Sequence, residues 1–145
     1  MATTTATVSI SSGDLQKGSN LSINASSTLM KGGLTTGLTQ MESGVISMPT
    51  GTEFRIGPVA TGMVGDVHDI ASFLYICNKS TDDTYWIDWG IDEDVIGLLY
   101  AGDWMFIPWN ASDDLAAIEI QANTGTNSIE WAFFNSNFVL PGDAE

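Results

Sequence analysis

The sequence predicts an all-β protein, an antiparallel β-sandwich of jelly-roll type with an extended N-terminal arm. Three observations lead to this prediction. From residue 45 onward, short apolar runs alternate with turn-forming residues at the intervals expected of a sandwich. Apolar residues at helical spacing are interrupted throughout by Gly, Pro or β-branched residues. The 145 residues suit one domain with a tail, which is long enough to bury a core without disulfides or metal.

Residues 1–44 form the predicted arm. Two strand-like pieces, at residues 5–10 and 21–29, alternate apolar residues with Ser, Thr and Asn, a pattern too polar to fold alone. Residues 30–43 contain three Gly and show no clear period. They predict an extended loop or a segment that orders on a neighbouring subunit, with an ordinary surface loop as the alternative. The apolar residues of the arm predicted to contact a partner are Val8, Ile10, Leu21, Ile23, Leu29, Leu34 and Leu38.

Residues 45–145 form the predicted sandwich domain. Its eight strands are expected at residues 45–48, 53–56, 71–78, 84–89, 96–100, 105–109, 117–122 and 128–134. The separators are rich in Gly, Pro, Asn and Asp, as in Pro49-Thr50-Gly51. Within one separator, Ser112 is a suitable N-cap for a single helical turn over residues 112–117.

Large aromatic residues fall at strand positions. The period of two places Ile87 and Trp89 on one face of their strand and Trp86 on the other. Residues 104–109 are apolar on both faces, so we expect this strand to be covered by the opposite sheet and by a partner chain or the arm. Large aromatics at strand spacing form cores or protein interfaces more often than ligand sites. The residues predicted for core or interface are Trp86, Trp89, Trp104, Phe106, Trp109 and Trp131.

The charge is divided unevenly along the chain. There are 18 acidic and 4 basic residues, for a formal net charge of −14 at pH 7. Residues 1–65 are neutral overall, whereas residues 66–145 carry fifteen acids and a single base, Lys79. This balance disfavours nucleic acid and anionic membranes as partners, because both attract clustered Lys and Arg. We also expect no membrane span and no signal peptide, since no apolar stretch approaches ~18 residues.

The sequence offers no constellation for catalysis. Its only His, His68, lies in an acidic loop, where neighbouring carboxylates favour the charged imidazolium over a neutral base. No nucleophile-elbow, zinc-protease or phosphate-binding glycine motif occurs. We therefore predict a protein that is not an enzyme and has no catalytic residues. A glycosidase that uses two of the many carboxylates is the most distant alternative.

Metal and cofactor binding are not expected either. Acidic residues cluster between positions 82 and 94, but without the alternating acids and glycine of a calcium-binding loop. The cluster predicts a solvated acidic face, with loose cation binding as the alternative. Cys77 lies in an apolar run and is predicted to be a small buried hydrophobe.

Three motifs between residues 73 and 134 carry a family resemblance: FLYICNKSTDDTYWIDWGI, VIGLLYAGDWMFIPWNAS and IEIQANTGTNSIEWAFF. The most specific part runs from Gly97 to Trp109, where Leu-Tyr-Ala-Gly-Asp is followed by Phe-Ile-Pro-Trp. Together with the upstream segment at residues 37–41, these motifs resemble small virion structural proteins of tailed phages, especially marine cyanophages. The resemblance covers a little under half of the chain.

The resemblance implies a non-enzymatic building block of the phage particle, most simply a capsid decoration (cement) protein on the outer surface of the virion, made in the host cytoplasm. Its partner would be the major capsid protein, which the arm would contact. The arm would otherwise reach a sister subunit in a homo-oligomer, a dimer or a trimer. The alternative function is a glycan-binding head-fibre or tail adsorption module, with exposed Trp residues as the platform on which sugars stack.

Overall fold

A computed structural model describes residues 5–16, 19–28, 40–56, 71–91, 93–109 and 118–135. These residues form strands and no helix, which confirms the predicted all-β class. The loop around His68 and the predicted helical turn at residues 112–117 lie outside these ranges. A helix suited to crossing a membrane is likewise absent from the described ranges. The strands are β1 (Thr5–Gln16), β2 (Ser19–Thr28), β3 (Gln40–Pro49), β4 (Glu53–Ile56), β5 (Ala71–Asn78), β6 (Trp86–Ile91), β7 (Asp94–Tyr100), β8 (Trp104–Pro108), β9 (Ile118–Ala122) and β10 (Thr126–Asn135).

Strands β3 to β10 form a sandwich of two four-stranded antiparallel sheets. Sheet I has the order β3-β10-β5-β8, and sheet II has the order β4-β9-β6-β7. Four of the strand pairs are those of one long antiparallel ribbon folded in half. They are β3 with β10, β4 with β9, β5 with β8 and β6 with β7. The further pairs β5 with β10 and β6 with β9 curl this ribbon into two sheets. This strand order is that of a jelly roll.

The strand bounds follow the sequence closely where the apolar alternation is strong. Strands β4 and β5 have their predicted bounds, and most others shift by one or two residues. The exceptions are β1, which extends to Gln16 beyond its predicted end at residue 10, and β3, which begins at Gln40 although its apolar alternation starts at Val45. Strand β3 is longer because it pairs with β10 along its whole length, from Gln40 opposite Asn135 to Pro49 opposite Thr126.

The core lies between the two sheets. Trp131 of β10 is a central member, with 4% of its surface exposed, and its ring stacks on Phe133 at 5.3 Å. Gly44 of β3 makes room for this indole, since a Cβ at Gly44 would lie 2.9 Å from the ring. The other buried residues of the core are Met48, Ile56, Leu74, Ile76, Ile87, Leu99, Met105, Trp109, Ile118, Ile120, Ala122 and Ile129.

A buried polar pair ties the two sheets together at one end of the sandwich. Asn78 of β5 and Asn127 of β10 are both fully buried. The Asn78 amide donates to Asn127 Oδ1 at 3.1 Å and to the carbonyl of Leu99 in sheet II, also at 3.1 Å. The Asn127 amide donates to the carbonyl of Thr124 at 2.9 Å. Because buried amides are costly unless bonded, these contacts hold β5 to β7 and fix the turn that precedes β10.

The first 39 residues form a separate compact unit, and its described part is a hairpin of β1 and β2. The two strand-like pieces predicted for the arm are therefore paired with each other. One face of the hairpin carries hydroxyl and amide groups that bond across the strands. Thr7 contacts Ser26 at 3.1 Å between their hydroxyl oxygens, and the Ser9 hydroxyl donates to Asn24 Oδ1 at 2.8 Å.

Candidate interaction surfaces

The aromatic residues predicted for core or interface lie in three environments. Trp109 and Trp131 are buried in the core. Trp86, Trp89 and Phe106 are half-buried. Trp104, at the start of β8, keeps 53% of its surface exposed. The inward side of β8 is thus covered by the core, whereas cover of its outward side by a partner stays a prediction.

The outward face of sheet I carries an aromatic cluster. It consists of Phe73 on β5, Phe106 on β8 and Phe134 on β10. The rings of Phe73 and Phe106 are stacked at 5.3 Å, and Phe134 meets Phe106 edge-on at 5.9 Å. All three side chains are half-buried by one another. Such pairs add about 0.5–1.5 kcal/mol to the burial of their surface.

Small and neutral side chains surround this cluster. Ala132 and Cys77 are each only 7% exposed although they point away from the core. Tyr75 lies opposite Ala132 on one side and opposite Phe106 on the other. Burial raises the pKa of Tyr75 to about 12, helped by the Cys77 thiol and the Glu130 carboxylate. Tyr75 therefore remains a neutral phenol at physiological pH.

The margins of the same face are apolar and exposed. In the register, Val45 of β3 faces Glu130, which in turn faces Cys77 and then Trp104 of β8. Val45 is 65% exposed at one end of this row, and Trp104 lies at the other. Among the described outward side chains of sheet I, Glu130 is the only charged one. It pairs with Lys79 at 3.7 Å, an exposed ion pair of the kind that contributes about 0–1 kcal/mol.

The outward face of sheet II carries an acidic region instead, on β4, β9 and the adjoining parts of β6 and β7. It contains an open cavity of about 240 Å³ in which five carboxylates surround the single guanidinium of Arg55. Arg55 Nη2 lies 2.8 Å from Glu119 Oε1, and the backbone N–H of Glu93 donates to Glu119 Oε2, also at 2.8 Å. Both oxygens of Glu119 thus have partners. The other carboxylates that line the cavity are Glu53, Asp88, Glu93 and Asp94.

The predicted acidic cluster has no metal-binding geometry in the described ranges. Within them, three or more His, Cys, Asp or Glu side chains are nowhere placed to hold a metal ion. Asp88 accepts a hydrogen bond from the Asn123 amide. The Asp82 carboxylate accepts bonds from the hydroxyl and backbone N–H of Thr84, which lower its pKa. Of the six acids in the predicted cluster, Asp92 alone lies outside the described residues.

The exposed apolar residues of β7 were not among the residues predicted for an interface. Val95, Ile96, Leu98 and Tyr100 are 63%, 55%, 43% and 47% exposed. The Tyr100 ring lies 6.4 Å from that of Trp86 on the neighbouring strand. The sequence signal that could have revealed these exposed residues is the run Val-Ile-Gly-Leu-Leu-Tyr at residues 95–100, which is apolar at outward as well as inward positions.

The hairpin of β1 and β2 has an apolar side as well. Val8 faces Ala25 in the register, and Ile10 faces Ile23. Ile10 and Ile23 are 48% and 46% exposed, whereas Val8 is half-buried. Four other arm residues were predicted to contact a partner. Leu29, Leu34 and Leu38 lie outside the described residues, and for Leu21 only the backbone is described.

No protein-family model matches the chain, and no curated protein matches it either.

Proposed function

We propose that this chain is a non-enzymatic structural protein of a phage virion, a decoration protein that binds the major capsid protein on the outer surface of the head. The observation that carries the proposal is the contrast between surfaces. The outward face of sheet I is aromatic with one charged side chain, Glu130, whereas sheet II presents five carboxylates around Arg55. The resemblance to small virion proteins of tailed phages adds support.

The hairpin is the element that we assign to the capsid protein. A two-stranded ribbon is marginally stable by itself, and its apolar side needs a surface to pack against. Ile10 and Ile23 lie opposite each other on that side and are both exposed. Asp14 is the only charged residue in the described hairpin. A ribbon with so little charge can pack on another subunit or extend its sheet through main-chain hydrogen bonds.

The aromatic face of sheet I is assigned to a sister subunit. A net charge of −14 makes copies of the chain repel one another unless they meet through an uncharged surface. The aromatic cluster, with Val45 and Trp104 at its margins, is such a surface. Aromatic residues are enriched at interfaces, and a twofold or threefold contact uses the same patch on every copy.

The acidic remainder suits the outside of a particle. A capsid presents one binding site many times, so decoration by small oligomers gains affinity from multivalency. Carboxylates that point away from the shell keep decorated particles apart through like charge. The carboxylates around the sheet II cavity provide this charge.

The test adds the purified chain to phage heads that lack it and counts bound copies by imaging. We expect lattice occupancy for the wild type and loss of binding for the double variant Ile10→Asp/Ile23→Asp, because it places charge on the apolar side of the hairpin. Ser11→Asp, which adds charge at an exposed serine of the same strand, is the matched control and should still bind. Full occupancy by the double variant would refute the role of the hairpin.

The alternative is a glycan-binding head-fibre or tail adsorption module, and the exposed Trp104 favours it. A glycan array, read with quenching of Trp fluorescence, separates the two functions. Glycan binding that is lost in Trp104→Ala, combined with no binding to capsids, would replace the decoration proposal. Capsid binding without any glycan signal would eliminate the alternative.

A further inference from the structure

A further surface lies along one edge of sheet II, beside the acidic cavity. Strand β7 forms this edge in the described ranges, and β4 forms the other. Strand β7 carries four of the eight large apolar side chains that are exposed in the described ranges, at positions 95, 96, 98 and 100. We call residues 95–100 the β7 edge. Edge strands are usually protected by Lys, Pro or charged side chains, and the β7 edge contains none of these.

At two positions of the β7 edge, Leu98 and Tyr100, the backbone N–H and C=O groups point away from β6. The N–H of Tyr100 donates to Asp103 Oδ2 at 3.0 Å, and the N–H of Asp103 donates to the Tyr100 carbonyl at 2.9 Å. Tyr100 therefore directs its backbone groups away from β6, and its own turn satisfies them. Because backbone direction alternates along a strand, the N–H and C=O of Leu98 also point off the free edge.

Negative charge lies directly beside this apolar edge. Val95 belongs both to the β7 edge and to the lining of the acidic cavity, together with Asp88, Glu93 and Asp94. Glu119 in the same cavity is already bonded to Arg55 and to the backbone of Glu93. A second copy of the chain would bring the same acids to this edge. A partner with positive charge is the better complement.

We propose that the β7 edge binds an extended segment of a partner protein in which apolar and basic residues alternate. The segment adds as a strand next to β7, and its main chain bonds to the exposed groups of Leu98. Its apolar side chains cover Leu98 and Tyr100, and its Lys or Arg side chains reach the carboxylates of Glu93 and Asp94. This surface is independent of the proposed capsid contact.

The probe is a labelled peptide of about eight residues that alternates valine and lysine, titrated into the full-length chain and followed by anisotropy. We expect binding that weakens with added salt. Leu98→Lys should weaken it about tenfold or more, because a lysine at a sheet edge repels the basic strand. Thr81→Lys, which adds the same charge at an exposed turn residue outside the assigned binding surfaces, should leave it unchanged. A peptide with N-methyl groups on alternate amides should also bind about tenfold more weakly, which keeps the test valid if Leu98→Lys does not fold.

Several outcomes would overturn the proposal. A serine–lysine peptide that binds as well as the valine–lysine peptide would show attraction by charge alone. A valine–glutamate peptide that binds equally would remove the role of the carboxylates. Dimers of the free chain that dissociate in Leu98→Lys would show that the occupant is a second copy.

Loss of capsid binding in Ile10→Asp/Ile23→Asp with peptide binding intact would show that the two surfaces act separately.

Discussion

The outward faces of the two sheets have the same strand geometry and opposite chemistry. Sheet I directs Phe73, Tyr75 and Phe106 outward, whereas sheet II directs Glu53 and Asp88 outward. In a sandwich the inward positions must be apolar for the fold to form, so they say little about function. The outward positions are free to differ, and here they separate the neutral face of sheet I from an anionic cavity on sheet II, which the apolar β7 edge borders.

The largest expected effect concerns which side chains of sheet I belong to the core. Trp109, directly after the end of β8, is 6% exposed, and Trp104 at the start of β8 is 53% exposed. We expect Trp109→Ala to lower the free energy of unfolding by about 3–5 kcal/mol, because it leaves a large cavity. Trp104→Ala should cost about 1 kcal/mol or less, since most of that ring already contacts solvent. Urea unfolding measures both.

The same two variants also test the proposed self-contact. Trp104→Ala is expected to reduce oligomer size in sedimentation experiments while its stability changes little. If Trp104→Ala were as destabilising as Trp109→Ala, the neutral face would be part of the core and no longer a surface. If Trp104→Ala left the oligomer unchanged, this margin of the face would not contact a sister subunit.

An added carboxylate should have different effects on the two outward faces. Ala132 lies 7% exposed on sheet I, and Gln121 lies exposed on sheet II opposite Asp88 and Glu53. We expect Ala132→Glu to cost about 2–4 kcal/mol, because the new charge is desolvated among neutral side chains. Gln121→Glu should cost about 0.2–1 kcal/mol, from repulsion between neighbouring acids.

Salt distinguishes the two causes. Repulsion on sheet II is screened, so the cost of Gln121→Glu should largely disappear in high salt. Desolvation on sheet I is screened much less, so the cost of Ala132→Glu should persist. Equal costs with equal salt dependence would mean that the two faces do not differ in the way described.

The fold was largely predictable from the sequence because inward alternation is a strong signal. In β5, for example, Leu74 and Ile76 point inward with a period of two, and the predicted bounds of that strand are confirmed. The start of β3 was not predictable. Its first residues are held by pairing with β10, and long-range pairing leaves no local apolar pattern.

The surfaces were harder to predict than the fold. A strand that is apolar on both sides does not reveal which side faces the core. For this reason Trp109 and Trp104 received the same prediction, although the structure buries one and exposes the other. The acidic cavity combines residues from four strands and one turn, among them Arg55, Glu93 and Glu119, and their sequence separation hides their proximity. The exposure of β7 depends on its place at the edge of sheet II, which follows from topology rather than from composition.

The smallest expected effect concerns the proton on Tyr75. Its pKa is raised to about 12, first by burial and then by Cys77 and Glu130, from an ordinary value near 10. Between about pH 10 and 12 the unfolded chain loses this proton while the folded chain keeps it, so stability must fall as the pH rises through that window. The unfolding free energy of the wild type should therefore decline more steeply there than that of Tyr75→Phe. In the difference absorbance of the phenolate, Glu130→Gln should lower the midpoint of Tyr75, and Asp94→Asn on sheet II should leave it in place. A midpoint near 10 in the wild type would show that solvent reaches the outward face of sheet I freely, and the contrast between the two faces would then be one of charge alone.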